Sequence, residues 1–133
     1  MRKSKINISG FKIGTAENRE GLTGVTVILA PDGGATAGVD VRGCAPGTRE
    51  TDLLDPRKTV QKIHAVVLSG GSVFGLEAAS GCVKYLAEQG VGFPIGNVCV
   101  PIVCSAVLFD LMIGDEKAYP DLLMGYEAAK SAS

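Results

Sequence analysis

The stretch 65–85, AVVLSGGSVFGLEAASGCVKY, constrains the fold of this chain more than any other. Val66, Val67 and Leu68 form an apolar run without polar alternation, the pattern of a strand covered on both faces. Gly70 and Gly71 follow, with backbone freedom that no other residue supplies. Ser72 occupies the place of a helix N-cap. Leu76, Ala79, Val83 and Leu86 then recur at intervals of three and four, which predicts a helix of about four turns. The leading amides of such a helix have no internal partner, so the turn suits a carboxylate, a phosphate or a developing oxyanion. Two glycines before a helix also serve close packing alone, and local sequence leaves both readings open.

The 133 residues suffice for one domain with its own core, and 46% hydrophobic with 20% charged residues is the balance of a globular protein. Eighteen glycines predict many tight turns and close contacts. A net charge of −1 without a basic cluster speaks against a nucleic-acid surface. No apolar run reaches membrane-spanning length, and no signal-peptide segment follows the basic start, so a cytoplasmic protein without membrane contact is expected. Cys44, Cys82, Cys99 and Cys104 form no CxxC pair, and His64 is the single histidine; free, mostly buried thiols are expected rather than a metal site.

Residues 5–8 alternate and predict a first strand, and 17–20 read as a turn. Residues 24–29 are rich in β-branched side chains and close on the turn sequence Pro31-Asp32-Gly33-Gly34. Residues 35–42 alternate again, which predicts a hairpin with 24–29 and a β-meander for the N-terminal third. Residues 43–58 mix turn residues with charges of both signs, the pattern of a surface loop with one helical turn at 51–54. Within it, Arg49 and Glu50 are candidates for a substrate carboxylate or amine, or for local ion pairs. A strand at 98–103 carries Pro101 at an edge or bulge. Asp121 opens a last helix whose stripe includes Leu122, Met124, Ala128 and Ala129, with no stop signal after it. His64 stands at the strand's entry, away from the Gly70 end where ligands of open sheets collect, so it is not expected to act as a base.

Four stretches occur in register: EGLTGVTV at 20–27, RGCAPGTRETDLL at 42–54, LSGGSVFGLEAA at 68–79, and VPIV with AVLFDL at 100–103 and 106–111. Together they resemble the DmpA-type aminopeptidases, or L-aminopeptidase/D-esterases, relatives of β-aminopeptidases and nylon-oligomer hydrolases. The resemblance implies an α+β fold, the N-terminal portion of an αββα sandwich. It also implies an amidohydrolase precursor that cuts itself, so that a new N-terminal Ser or Thr becomes the nucleophile. A free α-amine beside that hydroxyl acts as its base, so no histidine is needed.

The family's nucleophile, its lysine and asparagine, and its acidic pair fall downstream of the stretches matched here. Residues 1–133 are therefore expected to be one domain, the N-terminal piece of a larger subunit, with no catalytic residue, cofactor or metal of its own. Of the family's site, the resemblance carries over only a substrate-binding wall: Gly70, Gly71, Ser72, Phe74 and Gly75. The aromatic at 74, often tyrosine in relatives, is phenylalanine here and lacks a hydroxyl that would donate to an oxyanion. The expected partners are a peptide or amide substrate, the remainder of the precursor and further copies of the chain. A catalytically inactive scaffold or oligomerisation module is the alternative. Phosphate or nucleotide binding at the turn is a weaker one, for the P-loop spacing and the third glycine of the dinucleotide fingerprint are missing.

Overall fold

The computed structural model describes residues 8–133. At its centre lies β4 (Ala65–Ser69), the apolar run identified above. One edge pairs antiparallel with β2 (Thr23–Leu29), which in turn pairs with β1 (Lys12–Asn18). The other pairs parallel with β7 (Val103–Val107), and the two-residue β3 (Thr48–Arg49) adds antiparallel to β7. The sheet order is β1-β2-β4-β7-β3. Parallel neighbours need a crossover. Here it runs through α1 (Ser72–Gly75), α2 (Ala78–Glu88) and a small hairpin, β5 (Phe93–Ile95) with β6 (Val98–Val100). A last helix, α3 (Leu122–Lys130), begins at Asp121, whose carboxylate caps it by accepting from the Met124 amide at 2.8 Å.

Val25, Val27, Ala65, Val67 and Val103 project from one face of the sheet into a core closed by α2 and α3. The helices approach so closely because glycine and alanine line the contact. A Cβ on Gly81 would overlap the Leu122 carbonyl, one on Gly125 the Ala78 carbonyl, and one on Gly14 of β1 the Ala128 carbonyl. Ala78, Ala79, Ala128 and Ala129 are fully buried beside these glycines. Ser133 and Ile13 exchange backbone hydrogen bonds at 3.3 and 3.5 Å, tying the chain beyond α3 to the outer edge of β1.

The opposite face is covered only in part. Ile63, Ile102 and Cys104 form a second cluster there with Leu53, Leu54, Val60, Val66 and Phe93. Beyond it, Ile13 and Leu68 remain exposed, Leu68 at 47% despite its place on the central strand. The fold is therefore α+β, one helical layer on one sheet.

Several sequence expectations are corrected. Residues 35–42 do not form a hairpin with β2, because β1 and β4 already occupy both of its edges; only an isolated bridge from Ala35 to Ile63 forms. The turn at 31–34 does close, with Gly34 N–H donating to Pro31 O at 2.9 Å, but it leads the chain away from the sheet, so there is no meander. The long loop holds the expected turn, a 3-10 helix at Asp52–Leu54, and also the unforeseen β3. The strand foreseen at 98–103 divides at Pro101 into β6 and β7. The last helix does stop, at Lys130 with Ser131 as its C-cap. The strand expected at 5–8 lies almost wholly outside the described residues. All four cysteines are free thiols, but only Cys82 and Cys104 are buried; burial pushes Cys82 up to about 12. No described helix is long and apolar enough to cross a membrane.

His64 is buried, 6% exposed, and structural in its contacts: its backbone N–H donates to Ile102 O at 2.8 Å, and its Nδ1 accepts from the Ile102 amide at 3.0 Å. Burial lowers its pKa below the ordinary 6.5. The unfolded chain thus binds this proton more readily than the folded one, so stability is fully present above the ordinary value and declines as pH falls through it. The urea midpoint should fall from about pH 7 to about pH 5, and His64→Gln, which does not titrate, should flatten that fall relative to wild type. Gly125→Ala should cost about 1–3 kcal/mol in urea unfolding, since the new methyl has only helix backbone to push against; an unchanged midpoint would contradict the close helix crossing.

Candidate functional site

The carboxyl ends of the parallel strands β4 and β7 lie together, and the Gly70–Gly71–Ser72 turn leaves the sheet there. Gly71 has φ +82° and Ser72 φ +52°, two consecutive left-handed residues that reverse the chain sharply. Ser72 is therefore not the N-cap. Gly71 takes that position, and no side chain caps the helix. Nor is the following helix continuous: α1 is a single turn, joined to α2 through i to i−3 bonds such as Leu76 N–H to Val73 O and Glu77 N–H to Phe74 O. Gly75 ends α1 pressed against the Gly70 carbonyl, where a Cβ would overlap it.

The expectation of unpartnered leading amides holds only in part: those of Val73 and Phe74 have no acceptor among the described residues, while three amides of the turn itself are engaged. Gly70 N–H donates to Gly24 O at 3.0 Å, and Ser72 N–H to Leu108 O at 2.8 Å. Gly71 N–H donates to the Asp110 carboxylate, Oδ1, at 2.6 Å. The other oxygen, Oδ2, accepts from the Thr23 hydroxyl at 3.1 Å. Asp110 thus ties the turn to the start of β2 with charge-assisted hydrogen bonds. Beside this clamp runs an open groove of about 580 Å³ lined by Thr23, Gly24, Gly70, Leu108 and Asp110, with Glu17 and Arg19 from the β1–β2 end.

Of the five residues singled out in the sequence, Gly70 lines the groove, while Gly71 and Gly75 are buried in the turn's frame. Ser72 is half-buried, and its hydroxyl makes no hydrogen bond among the described residues. Phe74 does not line the groove. It stacks on Tyr119 at 4.7 Å between centroids, on the side of the turn where Tyr119 and Pro120 pack on Gly71. Exposed apolar side chains rim the whole end: Leu22, Val73, Phe74, Leu108, Phe109 and Met112. Arg49 does not line this groove; its Nη1 donates to the Ser80 hydroxyl on α2 at 2.7 Å.

Sequence reasoning missed Asp110, Thr23 and Tyr119 as partners of the turn. Thr23 and Asp110 lie inside stretches quoted above, but 87 residues separate them, and no periodicity links positions so distant. The site is a turn held at three successive amides, with an apolar rim. Among the described residues no group of three or more His, Cys, Asp or Glu is placed to hold a metal.

Comparison with known proteins decides the family, because residues 5–132 match peptidase family S58. The chain belongs to that peptidase family. It is 50% identical over 109 residues to an uncharacterized aminopeptidase of Mycobacterium leprae (strain TN), a match covering 82% of this chain and 30% of that protein. It is 35% identical over 128 residues to the 6-aminohexanoate-oligomer endohydrolase of Agromyces sp. (strain KY5R), covering 96% of this chain and 33% of the relative. A Burkholderia sp. beta-aminopeptidase shares the fold, with a TM-score of 0.65 at 18% identity over 95% of this chain and 37% of that one. The chain thus spans about a third of the length of the relatives it matches.

Removing the clamp tests the site's architecture. Asp110→Ala should cost about 1–3 kcal/mol, because it strips the acceptor from the Gly71 amide. Hydrogen exchange at Gly71 should accelerate well beyond that at Val67 in the central strand. Thr23→Val, which removes one donor only, should cost less.

Proposed function

We propose that this chain is the N-terminal part of the larger subunit of a self-processing aminopeptidase or amidohydrolase, one that releases N-terminal residues from peptides, amides or esters. In this reading the turn of Gly70, Gly71, Ser72, Phe74 and Gly75 forms one wall of the substrate site, and the nucleophile lies beyond this chain. One observation carries it: residues from three of the four stretches that resemble the family, Gly24 with Thr23, Gly70 with Gly71, and Leu108 with Asp110, meet at one end of the sheet around a groove. The fourth stretch supplies β3 on the edge of the same sheet. The relatives' names support the reaction class: one is called an aminopeptidase and another an oligomer endohydrolase.

The Gly70, Gly71 and Ser72 amides, each held by an internal acceptor, fit a fixed wall. The partly bare face bearing Leu68 and Ile13 fits a sheet that meets a second layer contributed by the rest of the precursor, as the αββα arrangement requires. The same bare face and apolar rim favour a second reading, a folded but inactive module that assembles with other copies.

Assay of aminoacyl amides should show no turnover by the 133-residue chain and turnover by a version extended through the downstream family region. Robust hydrolysis by the short chain alone would sink the proposal. Light scattering addresses the second reading, since a strict monomer that binds no hydrophobic dye contradicts an assembly module.

A further inference from the structure

The alternating stretch at 35–42 finds no place in the sheet, yet it keeps the course of a strand. Ala35 and Ile63 exchange backbone hydrogen bonds at 2.9 Å, and the Lys62 ammonium donates to the Thr36 hydroxyl at 3.1 Å, so its start is anchored. Ala37 packs on the second cluster. From 36 to 42 the chain then runs with neither turn nor bend and with no positive φ. No backbone N–H or C=O of residues 36–46 bonds to another backbone group among the described residues. Residues 38–42 are all exposed, Val39 at 49% and Val41 at 45%. A straight segment with a free backbone edge and outward valines is a template for strand addition.

The side chains say which strand it fits. In an extended chain Asp40 and Arg42 share one face, and Val39 and Val41 the other. Within one chain Arg42 Nε donates to Asp40 Oδ2 at 2.7 Å, an exposed pair that adds little to stability. Turned through a two-fold axis and laid antiparallel on itself, the same sequence meets its own complement. With Val41 opposite the partner's Val41, each Asp40 faces an Arg42 and each Arg42 an Asp40. The backbone phase agrees. Ala35 turns its N–H and C=O toward Ile63, so along a straight strand those of 36, 38, 40 and 42 point to the opposite edge. In that register 40 and 42 of one copy exchange ladder hydrogen bonds with 42 and 40 of the other, and the two Val41 side chains meet at the closer, non-hydrogen-bonded position.

We propose that residues 38–42 form an interface with a second copy of this chain, an antiparallel strand pair across a two-fold axis with Asp40 set against Arg42. A single strand pair buries far less than the roughly 1,600 Å² of a standard interface, so the association is reversible and grows with concentration. The pairing closes on itself, which gives dimers and not fibres. It uses neither the glycine turn nor the bare sheet face, so it stands apart from both readings of function given above.

Charge reversal tests the register directly, since both side chains are exposed. Sedimentation velocity on the 133-residue chain should show monomer and dimer in exchange. Asp40→Arg and Arg42→Asp should each weaken the dimer about tenfold, because two attractive cross-strand pairs become repulsive. Combining the two substitutions in one chain should restore it, and so should mixing the two single variants, whose strands are then complementary. Amide exchange at Asp40 and Arg42 should slow as the wild-type concentration rises, with that at Val67 unchanged. A chain that stays monomeric at every concentration, single variants that associate as wild type does, or a double variant or mixture that stays weak would each overturn the proposal.

Discussion

Backbone meets backbone where α2 crosses α3, with Gly81 under the Leu122 carbonyl and Gly125 under the Ala78 carbonyl, and the remaining geometry follows from that contact. Dispersion between closely packed main chains replaces interdigitating side chains as the glue of the helical layer. The alanines beside the crossing keep the layer thin, so α3 also rests directly on β1 at Gly14. Because Asp121 caps α3 and Tyr119 and Pro120 immediately precede it, the crossing sets where that pair packs on Gly71. A helix contact in the core thereby positions one side of the candidate site.

The other side is fixed by electrostatics rather than packing. Asp110 holds Gly71 and Thr23 with its two oxygens, and two main-chain carbonyls hold Gly70 and Ser72. A turn restrained at three successive amides has little freedom to adapt, and a preorganised wall is what a site needs when the reacting groups come from another segment. Membership of peptidase family S58 gives that rigidity a context.

What the sequence made legible were features written in short-range pattern. The central strand, the helical stripe through Ala79 and Leu86, the start of the last helix at Asp121 and the 3-10 turn at Asp52–Leu54 all depend on neighbours within a turn or two, whereas the expected cover on both faces of that strand fails at Leu68. The motif order carried the family and the fold class. Illegible features depended on distant competition. The alternation at 35–42 reads as a strand, but β4 outcompetes it for the edge of β2. Ser72 has the chemistry of a cap, yet the sharp reversal at Gly71 moves that role back one residue. Whether the turn's amides are free is undecidable locally, since their acceptors, Gly24, Leu108 and Asp110, come from two other segments.

Gly70 has one further consequence. A side chain there would collide at once with Asp110 Oδ2 and Thr23 Oγ1, the two atoms that hold the clamp together. Under drift, then, the three positions do not vary independently. A larger residue at 70 becomes acceptable only in a background where both neighbours have already shrunk, and that background has lost the turn's anchor. Each order of substitution passes through a weakened intermediate, so Thr23, Gly70 and Asp110 should be inherited as a block.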